Sequence, residues 1–362
     1  MLLSDSMMCN KRILLWLAAP LLACLAGCTG SSHLAYVSLP ESNAVAGFRI
    51  NNASGKFTAI VGSPYPAGLS PAAVLVSPSN QFVYAANRTD NTISLFKIDS
   101  SIGSLTEVPP RTSSGITPAA MVMDSGGKFI FVVNQGSGSI SVYSINSGSG
   151  ALTQVGSPVA VSPNPVALVV TPSAKFLYVV DSDLNLVFAY TISSSGALQA
   201  VAGPPFATDA GPSAIAVDPN EKFVYVANSA ADTVSIFSIN SGSGALTLVS
   251  GTSFTTGTTP VSLTVSPSGH YLYIADEGSS DITAYSIDSG TGIPTVITGS
   301  PFTTNKTPVF IVSDPNGKFL YVLSQSGNSI VALSVTSSSG LLTVSSQSAS
   351  TSVSAASMFV TK

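Results

Sequence analysis

The sequence is poor in cysteine, charge and long apolar runs, and each shortage excludes a class of protein. All three cysteines lie within the first 28 residues, so the remaining chain can form neither a disulfide framework nor a cysteine-based zinc site. Charged residues make up 8% of the 362 residues, and the net charge of −4 offers no basic surface for nucleic acid. Past residue 26 no apolar run approaches the roughly 18 residues that a membrane-spanning helix needs. We therefore expect neither a nucleic-acid-binding protein nor a polytopic membrane protein.

The first 28 residues have the order of a bacterial lipoprotein signal. Lys11 and Arg12 precede an apolar stretch at 13–25, and Ala-Gly-Cys28 follows, which is the charged, apolar and small-residue order of an export signal. Residues 25–28 resemble a lipobox, whose cysteine takes a diacylglycerol; the alternative is an ordinary cleaved signal with a spare cysteine. We expect Cys28 to anchor the exported protein to the bacterial cell envelope, on the periplasmic side or at the outer membrane.

A short apolar strand with an aromatic residue recurs seven times at intervals of 47 or 48 residues. The aromatic residues are Tyr36, Tyr84, Phe131, Tyr178, Tyr225, Tyr273 and Tyr321. Such a period indicates a repeated supersecondary unit. Within one unit the segments 212–217, 223–228, 233–239 and 245–249 have the composition of short strands, which we name A, B, C and D. The sequence therefore predicts an all-β, seven-bladed β-propeller with four antiparallel strands per blade.

A proline opens strand A in six of the seven units, at 71, 118, 165, 212, 260 and 308. The first unit has no such proline because the chain begins there at strand B. Residues 354–360 align with 71–77 and are predicted to supply the missing strand A to blade 1, which closes the ring and covers a free sheet edge. The expected organisation is a signal peptide (1–27), a lipid-anchored tether (28–33) and a single propeller (34–362). We expect a monomer that contacts the membrane through its lipid alone.

The repeats follow the pattern Ser/Asp-Pro-x-Gly-Lys-Phe-Leu-Tyr-Val-x-Asn, then Thr-Ile/Val-Ser-x-Phe/Tyr-Ser-Ile and Gly-Ala-Leu-Thr. In this pattern the chain resembles, over its whole length after the signal, the seven-bladed lactonase family, whose members are similar to 6-phosphogluconolactonase and include Tyr-Val-x-Asn propellers of bacterial envelopes. The resemblance implies the propeller fold and a lactone-hydrolysing activity. It also implies a histidine with acidic and arginine residues in the channel mouth, and no histidine of this sequence matches that place.

The two histidines offer no general base for the mouth. His33 falls in the predicted tether, and His270 takes the place that lysines hold in other A–B turns, on the face opposite the mouth. Neither a Ser-His-Asp triad nor a histidine-based metal cluster can be assembled from this inventory. The glycine-rich segments 145–153 and 239–247 are predicted C–D hairpins rather than phosphate loops, because a strand follows each. Turn-forming side chains are predicted before strand C at Asn43, Asn91, Asn185, Asp232, Asp281 and Asn328.

The mouth of a propeller is built from the B–C and D–A loops, so its chemistry follows from the repeat. Three cations fall there, Arg88, Arg111 and Lys306. Nine acids oppose them: Glu41, Asp90, Asp181, Asp183, Asp209, Asp232, Asp276, Glu277 and Asp281. This excess disfavours a phosphorylated ligand. The candidate ligand-binding residues are Arg88, Arg111, Asp181, Asp183, Asp276 and Glu277. No cofactor is expected, although Asp181 with Asp183, or Asp276 with Glu277, has the carboxylates that a divalent cation prefers.

Two functions fit these observations. The first, based on the missing mouth histidine, is a non-catalytic, lipid-tethered module that binds a glycan, a peptide or an envelope protein. The second, based on the family resemblance, is a hydrolase of an unphosphorylated sugar lactone. In that case Arg88 and Arg111 would polarise the carbonyl while Asp181, Asp183 or Asp276 activates water. The sequence leaves open whether the protein is an enzyme.

Overall fold

The computed structural model describes residues 32–362 except 204, 250–252 and 305. The expected signal peptide, Cys28 and the start of the tether lie outside the described residues. Within the described part no helix is long and apolar enough to cross a membrane. The described residues form strands and turns apart from two short 3-10 helices, Pro40–Ser42 and Gln135–Ser137.

Seven antiparallel sheets form the blades, and the predicted propeller is confirmed. Strand A is Pro71–Val76, Pro118–Met123, Pro165–Val170, Pro212–Val217, Pro260–Val265 and Pro308–Ser313 in blades 2 to 7, and Ser357–Val360 in blade 1. Strand B is, from blade 1 onward, Ser32–Leu39, Phe82–Asn87, Phe129–Asn134, Phe176–Asp181, Phe223–Asn228, Tyr271–Asp276 and Phe319–Ser324.

Strands C and D complete each blade on the outer side. Strand C is Ala44–Asn51, Thr92–Ile98, Ser139–Ile145, Leu186–Ile192, Thr233–Ile239, Asp281–Ile287 and Ser329–Val335. Strand D is Phe57–Ala59, Leu105–Glu107, Leu152–Gln154, Leu198–Ala200, Leu246–Leu248, Pro294–Val296 and Leu342–Ser350. Six blades add a two-residue strand that also pairs with strand C: Tyr65–Pro66, Thr112–Ser113, Val159–Ala160, Phe206–Ala207, Phe254–Thr255 and Phe302–Thr303.

The aromatic residue of strand B is buried and joins neighbouring blades. Strand B itself lies between strands A and C of its own sheet. Tyr84 is fully buried, and its hydroxyl donates a hydrogen bond of 2.8 Å to the carbonyl of Gly150 in the next blade. Tyr178 does the same with Gly244 at 3.0 Å. Gly244 has a φ of +78°, and a Cβ there would meet the ring of Phe176 at 2.4 Å. The glycine of the C–D hairpin is therefore required for the contact between blades.

In four blades the polar residue before strand C links the blade to the next one. Asn91, with a left-handed φ of 56°, accepts a hydrogen bond of 2.7 Å from the backbone N–H of Thr117, just before the next strand A. The same bond is made to Asn43, Asn185 and Asp232, which confirms the turns predicted at these four residues. Asn328 also has a left-handed φ, of 41°. In blade 6 the prediction is wrong by one residue: Ser280 has the left-handed φ of 57°, and Asp281 begins strand C.

The ring closes as the sequence predicts. Ser357–Val360 pairs with residues 35–38 of the first strand, and Met358 and Val360 are buried. The alignment behind the prediction is one residue out: Phe359 lies opposite Tyr36, whereas Leu75 lies opposite Tyr84. Phe359 thus corresponds to Leu75 rather than to Val76.

His33 belongs to the propeller and not to a tether, which corrects the expected boundary at residue 34. The first strand starts at Ser32, and His33 is buried. Its Nε2 lies 3.4 Å from Asp314 Oδ1 and 2.8 Å from the side-chain amide of Asn316, both in the A–B turn of blade 7. Strand B of blade 1 therefore begins two residues before the expected boundary, and His33 within it takes part in the contact between blades 1 and 7.

Candidate active site at the channel mouth

The mouth is lined by a ring of equivalent turn residues. In six blades the residue after strand B donates its backbone N–H to the carbonyl of the residue before strand A; for Arg88 and Ser70 this bond is 2.9 Å. The equivalent residues are Arg88, Gln135, Ser182, Ser229, Glu277 and Gln325. Because strand A lines the central channel, these side chains stand at its entrance.

Side chains from blades 2, 3 and 4 are joined in one chain of hydrogen bonds, which we name the mouth relay. Arg88 Nη2 donates to Gln135 Oε1. Gln135 Nε2 donates to Asn164 Oδ1 at 2.7 Å, and Asn164 Nδ2 donates to Asp183 Oδ1 at 2.8 Å. Arg88 and Asp183 at the two ends are exposed. The relay therefore presents a guanidinium and a carboxylate, held by two amides, to solvent at the mouth.

Asp181 accepts hydrogen bonds from the backbone of two residues of the mouth relay, Asn164 and Asp183. It is fully buried at the last position of strand B. One carboxylate oxygen accepts the backbone N–H of Asn164 at 2.8 Å, and the other accepts those of Asp183 and Leu184 at 2.9 and 2.6 Å. Burial alone would raise the pKa of Asp181, but the nearby Ser162 side chain and these three backbone N–H groups together lower it. Asp181 is therefore held as a charged anchor for the turn that carries Asp183.

Asp276 occupies the same strand B position in blade 6 and has a different environment. It is fully buried, and only Oδ2 has partners among the described residues, namely the N–H and the hydroxyl of Thr283 at 3.1 and 2.7 Å. Burial raises the pKa of Asp276 to about 7 despite these two bonds. Neighbouring Glu277 is half-buried. No hydrogen bond or ion pair of the described residues joins either acid to the mouth relay.

Arg111 does not join Arg88. Its Nε bonds Glu107 at 2.7 Å, its Nη2 bonds the carbonyl of Ala67 at 3.0 Å, and its Nη1 lies 3.5 Å from Asp90. The hydrogen bond that Arg111 donates to the Glu107 carboxylate raises the pKa of Arg111. The third cation, Lys306, bonds the Ser329 hydroxyl at 3.0 Å. Of the three mouth cations, Arg88 is therefore the one that belongs to the mouth relay.

His270 is on the predicted side of the propeller. It lies in the A–B turn of blade 6, on the face opposite the mouth, and is exposed. In the described part of the chain no three His, Cys, Asp or Glu side chains are grouped so as to hold a metal ion. Sequence reasoning missed Gln135, although it follows Arg88 by one repeat of 47 residues, and it gave no role to Asn164.

Comparison with known proteins places the fold in a family. The family model described as "Lactonase, 7-bladed beta-propeller" matches residues 29–170 and 162–359. The chain belongs to this lactonase family. Among curated proteins none matches the sequence.

Solved structures show the same fold at low sequence identity. A candidate 6-phosphogluconolactonase of Bacteroides uniformis has a TM-score of 0.80 at 20% identity, over 91% of this chain and 99% of that one. The Pseudomonas aeruginosa periplasmic gluconolactonase PpgL has a TM-score of 0.78 at 18% identity, over 92% and 99%. At these identities the likeness establishes the propeller alone.

Proposed function

We propose that this lactonase-family protein hydrolyses a lactone at the channel mouth, with the mouth relay as its active site. Family membership favours this function over the binding module that the missing histidine suggested. The observation that carries the proposal is the relay itself, because ester hydrolysis needs a group that activates water and a group that stabilises an oxyanion. Asp183 and Arg88 are of these two kinds.

The reaction requires no histidine if Asp183 serves as the base. Its carboxylate accepts a proton from water as the water oxygen bonds to the lactone carbonyl carbon. The carbonyl electron pair moves to oxygen, whose developing charge the Arg88 guanidinium stabilises. When the ring C–O bond breaks, the departing alkoxide takes the proton from Asp183, and the product is a hydroxy acid. Gln135 occupies one N–H of Arg88, and the guanidinium has five donors.

The charge of the mouth favours an unphosphorylated substrate. Three bases stand there among nine acids, and Arg111 is already paired with Glu107 and Asp90. A phosphate dianion would meet Arg88 within a surplus of negative charge. We expect no appreciable acceleration of 6-phosphogluconolactone hydrolysis over buffer.

The experiment is a pH-stat assay of the purified protein on γ-butyrolactone, γ-nonalactone, glucono-δ-lactone and 6-phosphogluconolactone, with Arg88→Ala and Arg111→Ala beside the wild type. Hydrolysis of an unphosphorylated lactone should be lost in Arg88→Ala and kept in Arg111→Ala. Absence of turnover with every lactone would refute the proposal. So would equal turnover in wild type and Arg88→Ala.

We also propose that the protein is exported and anchored by lipid on Cys28, as the signal sequence suggests. A Cys28→Ser variant should lose labelling by a radiolabelled fatty acid and should remain unprocessed. Unchanged labelling of that variant would contradict the anchor.

A further inference from the structure

The central channel below the mouth relay has walls of uncharged, mostly apolar side chains. It has a volume of about 570 Å³, within the roughly 300–1,000 Å³ of small-molecule sites. The second residue of strand A in blades 2 to 7, and the residue just before strand A in blade 1, contribute to its wall: Ala72, Ala119, Val166, Ser213, Val261, Val309 and Ala356. Every lining residue is apolar or carries a hydroxyl, and none is charged. The channel thus differs sharply from the acidic mouth above it.

The hydroxyl groups of the wall are engaged within the protein. Ser213 donates to the Pro260 carbonyl at 2.7 Å, and Ser262 accepts the N–H of Ile311 at 3.2 Å. Ser357 lies 3.0 Å from the hydroxyl of Ser38, and Thr264 bonds Ser313 at 3.4 Å. Polar groups that remain on the wall belong to the backbone at the inner edge of strand A. A polyhydroxylated chain would therefore lose water without gaining free side-chain partners.

Apolar side chains also stand at the entrance, next to the relay. Leu69, Ile116 and Leu184 are 48%, 57% and 46% exposed. The carbonyl of Ile116 accepts the N–H of Gly136, which follows the relay residue Gln135, and Leu184 follows Asp183 directly. These three side chains belong to the mouth loops of blades 2, 3 and 4, the same blades that carry the relay.

We infer that the substrate is a lactone with a hydrocarbon substituent, whose ring stays at the mouth relay while its apolar tail enters the channel. This inference rests on the proposed function and names its substrate class. The tail leaves water for walls made mainly of alanine, valine and other apolar side chains, and the ring carbonyl meets Arg88. A sugar lactone, with hydroxyls in place of the tail, fits the same mouth but not the channel.

The test is the dependence of kcat/KM on tail length. In the series from γ-butyrolactone to γ-nonalactone, kcat/KM should rise about two- to fourfold per buried methylene, and glucono-δ-lactone should be a poorer substrate than γ-nonalactone. A flat or falling series, or a preference for glucono-δ-lactone, would overturn the inference and leave lactone hydrolysis standing. Absence of all turnover would instead refute the proposed function.

A matched pair of variants assigns the effect to the channel. Ala119→Leu narrows the channel and should reduce the gain per methylene. Ala53→Leu makes the same change at an exposed residue of the C–D hairpin on the opposite face and should retain the wild-type gain. Calorimetric titration of γ-nonalactone into Asp183→Asn gives a readout free of turnover: binding tighter than that of γ-butyrolactone supports the channel site. Equal gains in both alanine variants would contradict it.

Discussion

Blades 4 and 6 carry an aspartate at the same repeat position, and the two carboxylates have opposite environments. Asp181 and Asp276 both end strand B and are both fully buried. Asp181 is bonded by three backbone N–H groups of its mouth loops, and its pKa is lowered. Asp276 is bonded through one oxygen to Thr283, and its pKa is raised to about 7.

The strand C residue seven positions after each aspartate differs between the two blades. Thr283 supplies a hydroxyl that binds Asp276, whereas the equivalent residue in blade 4 is Phe188, which has none. Asp181 is bonded instead by the mouth loops, and so it orders the turn that presents Asp183. The two sides of the mouth, which we call the blade 4 sector and the blade 6 sector, thus differ in one side chain of strand C. The blade 4 sector presents the carboxylate of Asp183, and the blade 6 sector contains the buried, isolated acid Asp276.

The largest expected effect is a difference in kcat between a variant of the blade 4 sector and a variant of the blade 6 sector. Asp183→Asn should lower kcat for lactone hydrolysis by about 10²- to 10⁴-fold, because the proposed base is lost. Glu277→Gln makes the same acid-to-amide change beside Asp276 and should change kcat little. Steady-state kinetics of both variants provide the check, and a larger loss in Glu277→Gln would move the active site to blade 6.

A second pair of variants separates the sectors by stability. A raised folded-state pKa means that Asp276 favours the folded state at low pH and loses this contribution as pH rises from about 4 to about 7. Asp276→Asn should therefore stabilise the protein at pH 8, by about 2–4 kcal/mol at roughly 1.4 kcal/mol per pKa unit, and have little effect at pH 4. Chemical denaturation at several pH values measures this.

The matched variant Asp181→Asn should have the opposite sign. A lowered folded-state pKa contributes stability above the unfolded value near 4, which is lost as pH falls through the folded pKa. The substitution should destabilise the protein at pH 8 and become less harmful in acid. If both asparagine variants showed the same pH dependence, the contrast between the two sectors would be wrong.

A smaller effect is expected from Thr283→Val, which preserves shape and removes the hydroxyl. That hydroxyl donates to Asp276 at 2.7 Å and accepts the N–H of Gly257 at 3.0 Å. Its loss should cost about 1 kcal/mol at pH 8 and less at pH 5, where Asp276 is protonated. Thermal melts at the two pH values give the comparison, and a larger cost at pH 5 would contradict it.

The repeat made the fold predictable, because the aromatic period and the prolines of strand A follow from local sequence. Contacts between distant residues were not predictable in this way. His33 pairs with Asp314 across the closing seam, and Arg111 pairs with Glu107, a residue of strand D outside the predicted mouth. Arg88 and Asp183 were both expected at the mouth, but Gln135 and Asn164, which join them, bond through side-chain orientations that no sequence period specifies.

The most direct test of the account is a double-mutant cycle on lactone hydrolysis with Arg88→Ala, Asp183→Asn and the double variant. Groups that act together in one reaction give strongly non-additive losses. We predict that the double variant has a kcat/KM close to that of the more impaired single variant. Losses that multiply fully in the double variant would mean that Arg88 and Asp183 act independently, and would contradict a single active site spread over blades 2, 3 and 4.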